Sequence, residues 1–95
     1  MPRKPRKQRD DDPETVAFLF ALGQKIQQLR TEDYSQEDFA AAVDVYRSHM
    51  SLIERGKTDV RLSTLLRIAR ALELSASELL DLVDQPLTEK RGGAS

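Results

Sequence analysis

No cysteine occurs in the chain, which excludes a disulfide framework and any thiolate metal site. Histidine is present once, so an imidazole metal site would lack a second ring to complete it. Tryptophan is absent and aromatics are limited to three Phe and two Tyr, a composition that suits a helical domain better than a sandwich or barrel. No apolar run approaches the roughly 20 residues needed to span a bilayer. The basic start "MPRKPRKQR" runs into "DDDPE" rather than into an apolar signal core, so a cytoplasmic chain without membrane contact is expected. A glycine-rich phosphate loop and a cluster of catalytic side chains are also missing; the expectation is a non-enzyme that needs no cofactor.

What is present is charge in both signs. One third of the residues are charged and 39% are hydrophobic, in a chain of 95 residues, near the lower end of what folds around its own core. The net charge is only −1, but it is segregated. Arg3, Lys4, Arg6, Lys7 and Arg9 form a basic block, and Asp10, Asp11, Asp12 and Glu14 an acidic one. With Pro2 and Pro5 and no apolar anchor, residues 1–12 read as a disordered arm. Two roles stay open for it: a solubilising tail, or an arm along a phosphate backbone or minor groove.

Helical periodicity starts at a clear signal. Asp12 can cap, Pro13 suits the first helical position, and Val16, Leu19, Phe20, Leu22, Ile26 and Leu29 recur at three- and four-residue spacing, predicting a helix from about Pro13 to Thr31. Gly23 lies inside it at a cost of about 1 kcal/mol relative to Ala, which close approach of another helix would explain. Ser35 and Asp38 form an imperfect capping box for a second helix, Gln36 to about Val43, followed by the turn "VDV", where Asp44 tolerates a left-handed backbone. A third helix spans about Arg47 to Arg55, with Met50 and Ile53 inward and Gly56 as its stop. Leu62, Leu65, Leu66, Ile68, Ala69 and Leu72 form a broad apolar stripe read as core. Ser75 and Glu78 make a full capping box opening a fifth helix that ends near Asp84, before Pro86. The expected fold is all-α: a five-helix repressor-like domain over residues 13–84 containing a helix-turn-helix, with a flexible tail at 85–95.

The third helix carries the chemistry. With Met50 and Ile53 inward, Arg47, Ser48, His49, Ser51, Leu52 and Arg55 fall on the remaining faces. An α-helix fits the major groove of B-DNA, where base edges present donors and acceptors that arginine, serine and histidine can meet. Each residue alone also has a bland reading as a solvated surface group; His49 can equally be a surface imidazole.

The stretches "LGQKIQQLR", "SQEDFA", "VYRSHMSLIERG" and "TLLRIARALELSASELL", in this order, resemble the Cro/repressor-type or XRE family of helix-turn-helix DNA-binding proteins. "RSHMSLIERGKTDVRLSTL" is similar in particular to the controller proteins of restriction-modification systems, small dimeric regulators. The resemblance implies that Gln36 binds a phosphate, that Arg47, Ser48, His49 and Ser51 face the groove, that Arg55, Lys57 and Thr58 touch the backbone, and that Arg30 and Glu54 form a structural ion pair. Departures are Asp44 and Glu73 where the family commonly has Gly, Tyr46 in place of a small capping residue, and Arg61 at a usual cap position. For Tyr46 two readings stand: a hydroxyl reaching phosphate or base, or a ring covering the turn.

Together these readings lead to a sequence-specific regulator of transcription that binds duplex DNA as a homodimer on a near-palindromic operator. Its interface is expected on the fifth helix at Leu79, Leu82 and Val83, with core burial of these residues as the competing reading. RNA polymerase or another protein is a further partner to consider. The alternative class is an antitoxin-like protein-interaction module with DNA binding as a secondary activity.

Overall fold

The computed structural model describes residues 12–83, and the arm, apart from Asp12, and the tail lie outside the described residues. Five α-helices follow in order: α1 (Pro13–Arg30), α2 (Gln36–Ala42), α3 (Arg47–Glu54), α4 (Leu62–Ala71) and α5 (Ala76–Val83). Each boundary falls within a residue or so of the sequence expectation, because the punctuation is local. Asp12 accepts the Thr15 N–H at 3.2 Å and its hydroxyl at 2.9 Å. Ser35 Oγ accepts the Asp38 N–H at 3.0 Å. Ser75 and Glu78 exchange both bonds of the capping box, at 2.8 and 3.0 Å.

Three of the helices end in the same device. After α2, the Asp44 N–H bonds the Ala41 carbonyl and Val45 N–H the Ala40 carbonyl; after α3, Gly56 bonds Ile53 and Lys57 bonds Leu52; after α4, Glu73 bonds Arg70 and Leu74 bonds Ala69. These paired bonds define the Schellman motif, which needs a left-handed residue at its bend. Asp44, Gly56 and Glu73 occupy that bend with φ of 62°, 72° and 64°. The two departures from glycine therefore sit in the backbone conformation that favours glycine.

The core gathers Leu22, Ile26, Phe39, Ala40, Val43, Met50, Ile53, Leu65, Ile68, Ala69 and Leu79. α1 packs on α2, α3 and α5, α2 on α3, and α4 on α5. Gly23 permits the α1–α3 approach: a Cβ there would lie 2.4 Å from the Ile53 carbonyl oxygen and 2.5 Å from that of Glu54.

Two expectations are corrected, for the α4 stripe and for Leu79. All buried residues of α1 lie from Leu22 onward; among the described residues its first turns meet only the loop past Gly56, which leaves Val16 at 45% and Phe20 at 51% exposure. The α4 stripe is narrower than its apolar composition. Thr64, Leu65, Ile68 and Ala69 face the core, but Leu62 is 77% exposed and Leu66 40%, because the 100° advance per residue swings this pair onto a flank. Leu79 is fully buried within this chain's own core, so it presents no surface to a second copy; Leu82 and Val83 are half-buried.

Candidate nucleic-acid interface

α3 is held by its apolar side and by both of its ends. Met50 and Ile53 are 0% and 1% exposed. At the start, the Tyr46 carbonyl accepts from His49 and Met50 N–H groups at 3.0 and 2.9 Å, while the Tyr46 side chain caps nothing. Its ring is 84% exposed, so the reading in which it covers the turn is overturned. The turn before α3 is fixed instead by the Schellman bonds at Asp44 and by Arg67 of α4, whose Nε donates to the Val43 carbonyl at 2.8 Å. No sequence signal pointed to Arg67, since its partner lies 24 residues away and any exposed helical arginine reads alike.

The end of α3 is anchored by charge. Arg30 Nε donates to Glu54 Oε2 at 2.7 Å and one terminal nitrogen to Oε1 at 3.0 Å; the other terminal nitrogen donates to the Tyr34 carbonyl at 3.1 Å. Both partners are buried, at 7% and 4% exposure, and the pairing is the bidentate fork that guanidinium and carboxylate geometry favours. The hydrogen bonds that Arg30 donates to Glu54 raise its pKa, against the desolvation that lowers it, and the negative charge of Glu54 adds to the rise. Gln36 joins the group: its Nε2 donates to Glu54 Oε1 at 3.0 Å. Only the amide nitrogen can donate to a carboxylate, so the chemistry sets the orientation of this side chain, and one Nε2 hydrogen remains for an anion.

With one side anchored, the other side is open. Gln36, Arg47, Ser48, Ser51, Leu52 and Arg55 line a shallow groove along α2 and α3. Arg47, Ser48 and Arg55 are exposed, Ser51 and His49 half-exposed, and Ser51 Oγ accepts from Arg55 Nε at 3.3 Å, which steers that guanidinium along the helix. Lys57, exposed, and Thr58, half-exposed, follow in the loop past Gly56, beside Thr15, Val16 and Leu19 of α1. The resulting surface offers arginine and lysine cations and hydroxyl groups, a set that bonds phosphate oxygens and base edges. Among the described residues no cluster of His, Asp or Glu can hold a metal ion, and no helix is long and apolar enough to cross a membrane.

Residues 21–82 match a family model described as a helix-turn-helix domain. The chain is 42% identical over 66 residues to the control protein C.MunI of Mycoplasma sp, covering 67% of this chain and 89% of that one. It is 39% identical over 68 residues to the control protein C.BamHI of Bacillus amyloliquefaciens, at 70% and 82% coverage. The crystal structure of the restriction-modification controller protein C.AhdI from Aeromonas hydrophila superposes with a TM-score of 0.63 at 38% identity, over 66% of this chain and 97% of that one. The clp gene regulator ClgR of Corynebacterium glutamicum shares the fold at 22% identity, with a TM-score of 0.69 over 81% of this chain and 83% of that one. By sequence and by fold, this chain belongs to the XRE-type helix-turn-helix family and is a relative of the restriction-modification controller proteins.

Proposed function

We propose that this protein is a sequence-specific regulator of transcription that binds double-stranded DNA as a homodimer, with α3 as the recognition helix in the major groove. The observation that carries the reading is the two-sidedness of α3. Met50, Ile53 and Glu54 are locked into the fold, whereas Arg47, Ser48 and Arg55 stand in solvent on a rigidly held helix. Arg47, in the first turn, is placed to read a guanine, with Ser48, Ser51, His49 and Tyr46 beside it. Gln36, Arg55, Lys57 and Thr58 serve the phosphates on either side. The reading involves no catalytic step.

One α3 reads too few base pairs to select a site, so two copies on half-sites about 34–36 Å apart are the expected solution. The apolar surface for pairing is supplied by Leu62 and Leu66 of α4, the exposed leucines of that helix, together with the uncovered parts of Leu82 and Val83. The exposed parts of these side chains make a small apolar patch, which suits a weak dimer whose DNA occupancy follows protein concentration. Selection of binding sites from random duplexes tests the proposal. The expected product is an inverted repeat with centres one helical turn apart; recovery of no consensus would remove it.

The protein-interaction alternative draws on one observation, the exposed Val16, Phe18 and Phe20 on the first turns of α1. An apolar complex formed there would respond little to salt, which separates it from phosphate-anchored binding.

A further inference from the structure

Leu52 is the one apolar side chain among the residues that line the groove along α2 and α3, between Ser48 and Arg55 on the same helical row. It is 38% exposed, while Met50 and Ile53 on the opposite side are 0% and 1% exposed. Its backbone carbonyl accepts the Lys57 N–H at 2.9 Å, so the side chain projects from a hydrogen-bonded helix end rather than from a fraying turn. A single exposed leucine elsewhere needs no explanation. Here its neighbours are two arginines, two serines and a glutamine whose partners are polar, and the surface they address has one apolar feature. In the major groove that feature is the C5-methyl of a pyrimidine, which belongs to thymine and, identically placed, to 5-methylcytosine.

We infer that Leu52 is a specificity-determining residue that packs against a pyrimidine C5-methyl in each half-site, beside the base read by Arg47. The inference rests on the major-groove reading of α3 given above. Leu52 sits one turn and a residue beyond Arg47, so the methyl it meets lies within a few base pairs of the Arg47 contact. Desolvating one methyl corresponds to a fewfold change in affinity, about threefold to fivefold per half-site.

The experiment uses the full chain and the operator obtained by site selection. Each thymine is replaced in turn by deoxyuridine, which removes the methyl and leaves every hydrogen-bonding group in place. The wild-type protein loses about threefold to fivefold per half-site at one symmetry-related thymine position, and Leu52→Ala erases that loss at that position alone. Where the base there is cytosine, 5-methylation strengthens wild-type binding by a similar factor and leaves the Leu52→Ala protein unaffected, which distinguishes the two sources of the methyl. Thermal unfolding of Leu52→Ala and Leu52→Met checks that the fold persists, and Leu52→Met retains the uracil sensitivity. If a specific operator exists and Arg47→Ala weakens it selectively, yet the uracil pattern is identical in wild type and Leu52→Ala, the inference about Leu52 is overturned alone. Absence of any specific operator removes the DNA-reading proposal itself, and this inference with it.

Discussion

Gly23 of α1 lies so close to Ile53 of α3 that a methyl group on Gly23 would sit 2.4 Å from the Ile53 carbonyl oxygen. This contact sets how deeply α3 is seated, because the obstructing atoms are backbone and cannot turn aside. Gly23→Ala is a propensity gain of about 1 kcal/mol in a helix interior. The clash reverses the sign. The variant is expected to lose about 2–3 kcal/mol in denaturant unfolding; an increase in stability would show that the two helices are not in contact.

The Arg30–Glu54 pair gives a second stability test. Removing Glu54 alone, as Glu54→Leu, strands a buried guanidinium and leaves the Gln36 amide without its acceptor. The expected cost is about 3–5 kcal/mol, with most of it recovered in the Arg30→Met, Glu54→Leu double variant. The linkage sign follows from Arg30, whose folded pKa is raised. Its contribution is complete below the ordinary arginine value and is lost as pH rises from there through the raised one, so the Arg30 side of the pair is constant around neutrality. A double-mutant cycle in denaturant measures the pair; additive single effects would contradict it.

Glu73 occupies a left-handed bend at φ 64° with no glycine's freedom. Glu73→Gly is expected to raise stability by about 0.5–1 kcal/mol, since relief of the side-chain strain exceeds glycine's entropic penalty in the unfolded chain. Asp44→Gly, at φ 62°, should gain less, because aspartate tolerates this conformation better. Thermal melts of the two variants rank them, and destabilisation by Glu73→Gly would refute the strain argument.

Much of this was legible in the chain because the signals were local. Asp12, Ser35 and Ser75 mark helix starts through bonds to residues three positions on, and the Met50 and Ile53 spacing marks the inward side of α3. Asp44 was readable as a left-handed bend from its chemistry alone, and Gly23 as a close approach from its cost. What sequence could not supply was the identity of the packing partner. Spacing shows that Leu62 and Leu66 share an apolar stripe, but not that the core stops one flank short of them. Leu79 carried the same composition as Leu82 and went to the interior because α1 and α4 both pack on α5. Arg67 and Gln36 are ordinary polar residues until the tertiary fold brings Val43 and Glu54 to them.

The proposed interface can be checked by sedimentation. Leu62→Asn with Leu66→Asn is expected to shift the protein to monomer across the micromolar range and to weaken operator binding, with a small drop in the melt that comes from Leu66, 40% exposed, and not from Leu62, 77% exposed. Polar replacement of Leu82 with Val83 should act in the same direction and also lower stability, since both are half-buried. A dimer that survives all four changes would place the association elsewhere.

Base reading by α3 is the claim on which the functional account stands, and Arg47→Ala tests it most directly when titrated against the selected operator and against random duplex at the same salt concentration. The expected result is a loss of about 1–3 kcal/mol on the operator, relaxed preference at one position per half-site, and little change on random DNA. An equal loss on both would reduce Arg47 to a phosphate contact and contradict the account.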